Sequence, residues 1–503
     1  MGHLLTRYRT AMVAAVLVLF GTAMAVLSFG NHLCFRTYGL DLGIYTKAAY
    51  DYSRLRANDC SFFLWEPSNI LADHFDLLLV VLSPLVRLGG AWALLTVQLL
   101  AVLAGALGVY KLANYLSEVN VVQNCASSLK THSLKPTAIL VPSLLMLLPL
   151  LSFGTWHALG FDYHSNVVGA MMLPWLILFV ERRKLWPAVA MAVLIAICKE
   201  SSALWLCFVL AALLPVHWRD KGLRRGLGIG LGVATVYLAV VTLWVMPSLG
   251  GSSRGFWRYE WMGGSFSDVA RWLVTHPFEA LRDLFINFTH EADCDHLKHE
   301  FYVCFLLSGG LCCLLRPHYL IMLLPPLALK MLAATPSNFW GVNFHYNVEL
   351  CMVACVATVD VVCRRERNNE LLATVFVLLT AATLVYTVNN PVSEIRRANT
   401  NIFAKEHYRQ YDIDVHAACR MLRQIPPDAS VCATTMFTPH LATRDSIYIF
   451  PLGMSHATEY YMIRRNCWSY YDNDAELAAQ LIADTAAFSI VDSADNLYLL
   501  HRR

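Results

Sequence analysis

The sequence predicts a mainly α fold: a polytopic transmembrane helical bundle with a small α/β segment at its C-terminal end. Three observations predict it. First, 57% of the 503 residues are hydrophobic and only 15% are charged, with a mean hydropathy of +0.48. A soluble protein carries about 25% charged residues and about 45–50% apolar ones, so this chain has too little polar surface to cover itself in water. Second, long apolar runs recur from near the N-terminus to residue 388. Third, the composition turns mixed and charged from about residue 389.

The N-terminal MGHLLTRYRT leads into an apolar stretch at 11–29, long enough for a bilayer core and longer than a signal-peptide core. It is expected to be a retained first span, with Arg7 and Arg9 in the cytoplasm. Further runs lie at 71–88, 91–112, 137–153, 165–181, 186–198, 202–216, 226–247, 301–315, 317–334, 347–363 and 371–388. Their backbone polar groups must be satisfied internally in lipid, and the runs do not alternate as barrel strands do. About 11–12 hydrophobic segments of helix are therefore expected.

Basic clusters set the orientation. Arg182-Arg183-Lys184, the 219–225 stretch, Arg316 and Arg364-Arg365 with Arg367 belong inside. Outer loops then fall at about 31–70, 248–300 and 335–346, and everything after about 390 is extracytoplasmic. The first half closes less simply. With Lys111, Lys130 and Lys135 inside, one run too many precedes Lys111, so 71–88 is expected to be re-entrant or interfacial. The division is a transmembrane domain at 1–389 and a soluble α/β domain at 390–503. The latter has an amphipathic helix at about 411–424, then strand-like runs at 430–433, 446–450 and 487–491. The expected location is the cell's inner (plasma) membrane.

The net charge of +3 argues against a nucleic-acid partner. None of the fifteen cysteines forms a C-x-x-C pair, and those within apolar runs act as small hydrophobes. Cys34, Cys60, Cys294, Cys419, Cys432 and Cys467 lie outside the runs and could pair on an oxidising side.

Polar residues at membrane edges are costly, and these carry the functional reading. Asp41 sits between two glycines just after the first span. Glu66-Pro67 and then Asp73-His74-Phe75-Asp76 precede the next run; Asp162 and His164 open another; Lys199-Glu200 interrupts an apolar hairpin; His345-Tyr346 precedes the run at 347. On spacing alone each has a bland alternative: a helix cap, a mutually neutralising pair, an aromatic anchor. The 290–300 run holds His296 and Glu300 at i,i+4 spacing, which could share a metal, yet it matches no defined metal signature.

In order, GLDLGIYTKAAYDY, DHFDLLLVVLSPL, FDYHSNVVGAMMLP, CKESSALW, RPHYLIMLLPPLALKML, FHYNVELCMVAC and ASVCATTMFTPHLATRDSIYIFP resemble the family defined by domain of unknown function 2079. Those bacterial polytopic proteins are grouped with the GT-C glycosyltransferases, and the resemblance runs over about residues 35–495. It implies a GT-C-like bundle moving a sugar from a polyprenyl-phosphate donor to an extracytoplasmic acceptor, with membrane lipids and the lipid-phosphate-linked sugar as partners. It assigns Asp41, His74 and Glu200 catalytic roles, and Asp162, His164, Lys199, His345 and Tyr346 substrate-binding ones. No metal ligands and no cofactor are assigned; a divalent metal stays open, though Ser201 and Ser202 stand where the family often shows a further acid. It also implies short surface helices over 42–60, with Tyr45, Tyr50 and Tyr52 at the lipid boundary. The rival functions are a transporter or flippase of a lipid-linked glycan, and a non-catalytic scaffold. Neither internal repeats nor helices broken in matching halves support the first of these.

Overall fold

The computed structural model of the protein describes residues 2–57, 62, 69–127, 137–250, 257–289, 291–365, 367–391, 394–410, 413–466 and 474–503. Cys60, Glu66-Pro67, Lys130, Lys135, His290 and Cys467 lie outside the described residues.

Helices make up the first 389 residues, and they run between two chemically distinct ends. At one end the basic connectors are tied together. Arg9 bonds Tyr110, the Tyr115 hydroxyl donates to the Glu181 carbonyl at 3.0 Å, and Asn120 donates to the Cys363 carbonyl at 3.2 Å. Arg183 pairs with Asp220 at 2.8 Å, Arg364 reaches Glu181 at 3.5 Å, and Arg316 reaches Asp360 at 3.4 Å. The clusters assigned to one side by charge alone therefore share one end of the bundle. At the other end lie the connectors around Asp41, Asp162, Lys199 and His345.

Eleven segments pass between these ends among the described residues: Arg7–Leu33, Ala91–Asn120, the bent pair Leu140–Leu151 and Phe153–Leu159, Ser165–Glu181, Leu185–Ala196, Glu200–Val216, Lys221–Ser248, Ala292–Leu315, His318–Met331, Val348–Cys363 and Asn369–Asn389. Five of the helices are long and apolar enough to cross a bilayer alone, or six spans with the bent pair counted as one. The shorter ones are shielded by neighbours. Val348–Cys363 is buried along nearly its whole length, as befits a helix apolar all round. Lys221–Ser248, with 11% of its apolar window buried, faces outward.

The helix Leu77–Gly89 is not among the passages. Its first turn meets the Ile197 carbonyl through the Leu78 N–H at 3.0 Å, and Gly90, just past its end, lies close to Thr443 of the C-terminal region. Both of its ends therefore sit at the Asp41 end, which removes the surplus span in the first half. Asp76 caps it by accepting the Leu79 N–H at 3.3 Å.

Residues 44–52 form the helix Ile44–Tyr52, but its Tyr45 is buried within the protein rather than at the lipid boundary as the resemblance implied. Tyr45, Lys47, Ala48 and Asp51 are buried, because the helix is covered by Leu77–Gly89 and because Lys47 and Asp51 pair at 2.6 Å.

After residue 390 a five-stranded sheet forms in the order β2-β1-β3-β5-β4, from β1 Val431–Ala433, β2 Ile447–Ile449, β3 Tyr460–Arg464, β4 Phe488–Ala494 and β5 Leu497–Arg502. β1 runs parallel to β2 and β3, whereas β3, β5 and β4 are antiparallel. The amphipathic stretch forms Val415–Gln424, capped by Asp414; residues 411–412 lie outside the described set. Val431, Phe437 and Ile447 join the bundle's own apolar core, with a smaller cluster around Phe450, Tyr461 and Leu500 on the other sheet face. Cys34, Cys294, Cys419 and Cys432 are free thiols.

The contact between this region and the Asp41 turn is close. The Gly39 N–H donates to Thr435 Oγ1 at 2.9 Å, and a Cβ on Gly39 would stand 2.5 Å from Thr438 Oγ1 and 2.6 Å from Ile449 Cδ1. Gly39→Ala should therefore cost about 1–3 kcal/mol by overpacking and lower the thermal midpoint of the purified protein; an unchanged midpoint would contradict this interface. A reporter fused after Arg503 should be active only on the side that labels a tag in the Asp41 loop, opposite Arg7. Activity on the Arg7 side would overturn the arrangement.

Candidate active site

Asp41 occupies a short turn, Gly39–Gly43, whose shape is imposed by another carboxylate. Asp162 Oδ2 accepts the Tyr38 N–H at 2.9 Å and the Leu42 N–H at 3.1 Å, bracketing Asp41 on both sides. Asp162 itself has a left-handed backbone (φ 33°) and is clamped by Gln98, which donates to its carbonyl at 2.8 Å and accepts the His164 N–H at 2.8 Å. A non-glycine residue in that region is strained, and here two side-chain bonds hold it. Asp162 is thus turned toward backbone, with its other oxygen buried and unpartnered. Burial and the neighbouring Asp41 raise its carboxyl well above the usual carboxylate range.

The Asp41 carboxylate is 28% exposed, and its Oδ1 lies 3.9 Å from His164 Nε2, beyond hydrogen-bond length. Burial raises its pKa to about 6, against the downward pull of Lys199, Arg396 and His74. His164 and His345 stack, with ring centroids 3.4 Å apart and planes within 19°. Burial lowers both imidazoles well below their usual value, so both are neutral at physiological pH.

Lys199 and Glu200 do not neutralise each other. Lys199 Nζ donates to the Tyr45 hydroxyl at 3.0 Å, while Glu200 accepts the Phe75 N–H at 2.9 Å and meets His74 Nδ1 at 3.2 Å. Burial and Lys199 push the His74 imidazole down, but Asp73 and Glu200 outweigh them and hold it above its usual value. Tyr346 lies at the edge of the group, its ring against Phe339 and His345 at 4.1 Å each.

Asp41, His74, His164, Lys199, Glu200 and His345, from five connectors, thus meet at one end of the bundle, with Asp162 behind the Asp41 turn. The sequence reading missed Arg396. Its guanidinium covers the Phe344 ring at 3.6 Å and the Phe161 ring at 5.3 Å, and its charge acts on both Asp41 and Asp162. The available signal was Arg396-Arg397 itself, a basic pair on the side where charge bias disfavours one. Below this layer, Ser165 donates to Asp76 and Asn166 donates to Glu349 at 2.8 Å.

Among the described residues, no three His, Cys, Asp or Glu side chains come together in a way that could hold a metal. The 291–300 run makes its own contacts: Asn287 donates to Asp295 at 2.6 Å and Lys298 to the Ile286 carbonyl at 2.9 Å.

No curated protein matches this sequence. Among solved structures, that of ArnT from Cupriavidus metallidurans bound to undecaprenyl phosphate aligns over 97% of this chain and 98% of that one, with a TM-score of 0.48 and 12% identity. The family described as predicted membrane protein (DUF2079) matches residues 31–498, and the chain belongs to that family.

Proposed function

We propose that this membrane protein transfers a sugar from a polyprenyl-phosphate donor to a hydroxyl acceptor on the extracytoplasmic side. The observation that carries this reading is the meeting of one partly exposed carboxylate, Asp41, with the charges of Lys199, Arg396 and His74 at a single end of the bundle. The GT-C resemblance of the sequence points the same way.

In this reading Asp41 takes the proton from the acceptor hydroxyl as its oxygen attacks the anomeric carbon. The bond from that carbon to the donor's phosphate oxygen breaks, and its electron pair leaves on the lipid phosphate. Lys199, Arg396 and protonated His74 balance the charge that develops there. Glu200 holds His74 in place and favours its charged form. The neutral His164–His345 stack gives the sugar an aromatic wall with ring nitrogens available for its hydroxyls. Asp162 positions the Asp41 turn and need not touch substrate. The donor's tail stays in lipid. Leu77–Gly89 starts beside His74 and exposes Val81 and Leu85, an apolar surface along which a polyprenyl chain can lie.

Two measurements test this on membranes supplied with a labelled polyprenyl-phosphate sugar. Asp41→Asn should lower transfer by about 10²–10⁴-fold while leaving expression and thermal midpoint intact, since general-base removal costs that much without changing volume. Full transfer by this variant would refute the assignment. The wild-type rate should also fall as pH drops through about 6, because Asp41 acts only when deprotonated and burial has raised its pKa to about 6. An acid limb near pH 4 would mean that a different, unperturbed carboxylate is the base.

A further inference from the structure

At the basic end, far from Asp41, a cavity of about 510 Å³ opens between the connectors that follow Ser165–Glu181 and Glu200–Val216. Its wall includes Glu181, Arg183, His217, Trp218, Arg219 and Asp220. Both acids already have partners. Asp220 pairs with Arg183 at 2.8 Å and caps the next helix through the Leu223 N–H at 3.1 Å; Glu181 is 3.5 Å from Arg364. Arg219 is exposed at the cavity, with Arg182 and Lys184 in the first connector and Lys221 and Arg225 in the first turns of the next helix, so the segments around the mouth are rich in basic residues. Arg224 packs its guanidinium over the Trp218 ring at 4.7 Å. His217 Nε2 is buried without a hydrogen-bond partner, 3.9 Å from the Glu181 carboxylate.

The surroundings identify the depth of this cavity. Leu185, Trp186 and Trp218 are 61%, 78% and 61% exposed. Large apolar side chains at helix ends belong at the level of lipid headgroups, where tryptophan is enriched. A positive cavity at that level, with apolar side chains at its rim, matches an anionic phosphodiester attached to acyl chains rather than a soluble anion.

We propose that this cavity binds the headgroup of an anionic phospholipid of the cytoplasmic leaflet. Arg219 faces the phosphate, Arg183 is shared between it and Asp220, His217 is within the same wall as a further donor, and Trp186 and Trp218 pack on the upper acyl segments. The site is separate from the Asp41 site and does not depend on its chemistry.

The test is thermal unfolding of the full-length protein in neutral detergent with added phosphatidylglycerol, phosphatidylcholine or glycerol 3-phosphate. Phosphatidylglycerol should raise the midpoint saturably, and the other two should not. Arg183 and Arg219 are exposed, so replacing them with Gln should spare the fold. Arg219→Gln should weaken the apparent affinity about fivefold and the double variant Arg183→Gln/Arg219→Gln about thirtyfold, from the usual contribution of a basic residue near an anionic surface. Arg87→Gln removes the same charge at the opposite end and should change nothing. Equal stabilisation by phosphatidylcholine, protection by glycerol 3-phosphate, full response in the double variant, or an equal loss in Arg87→Gln would each overturn the proposal.

Discussion

The geometry of the Asp41 end depends on one buried carboxylate that accepts two backbone N–H groups. Residues 38 to 43 form a tight turn at the membrane boundary, where an unpaired N–H costs as much as a lost hydrogen bond. Asp162 satisfies the Tyr38 and Leu42 N–H groups together, so the turn has one shape, and that shape presents Asp41. The strain at Asp162 (φ 33°) is offset locally by Gln98, which bonds both flanks of the Asp162–His164 segment. A long chain of dependence results: Gln98 holds Asp162, Asp162 holds the turn, and the turn places a carboxylate beside a lysine from a connector more than 150 residues away.

The other side of the same turn is closed by the C-terminal region. Phe35 packs edge-on against Phe437, His32 and His440 stack at 4.0 Å, and Arg56 reaches Asp445 at 3.1 Å. Asn31 donates to the Asn399 carbonyl at 2.8 Å, and Trp156 to the Thr400 carbonyl at 2.7 Å. These contacts fasten the segment that supplies Arg396 to the same helix end that precedes Asp41. A domain that hung free from the last span could not hold a guanidinium over Phe344 and Phe161. The coupling explains why residues so distant in sequence can act on one carboxylate.

How much of this was legible in the sequence follows from what each signal measures. Hydropathy reports burial in lipid, and it located the passages. Charge bias reports sidedness, and the parity conflict it raised over 71–88 agrees with both ends of Leu77–Gly89 lying at the Asp41 end. Alternation and apolar runs marked β1, β2 and β4, but β3 and β5 were missed. β3 is buried at its three central positions, so it shows no alternation, and β5 ends in the polar pair His501-Arg502. The edge residues were legible as costly polar groups, yet their partners were not. Lys199 bonds a phenol and Glu200 an imidazole, and nothing in the order Lys-Glu says that the two turn apart. Arg396 escaped because an arginine just past a span reads as an anchor until its aromatic platform is visible. Tyr45 was read as facing lipid because a helix wheel cannot show that Leu77–Gly89 folds back over it.

The two ends of the bundle treat charge in opposite ways, and this contrast gives the Asp41 end its chemical character. At the basic end Asp360 is shared by Arg316 and Arg364, and Arg364 also reaches Glu181, so each acid has a cation within 4 Å. Such partly exposed pairs contribute little stability each. At the Asp41 end Lys199 donates to the Tyr45 hydroxyl, the Arg396 guanidinium covers aromatic rings, and His74 meets Glu200. A cation bound through a phenol or a π face keeps its charge, whereas one bound to a carboxylate loses most of its reach. Lys199, Arg396 and His74 all act on Asp41, and burial still raises its pKa to about 6.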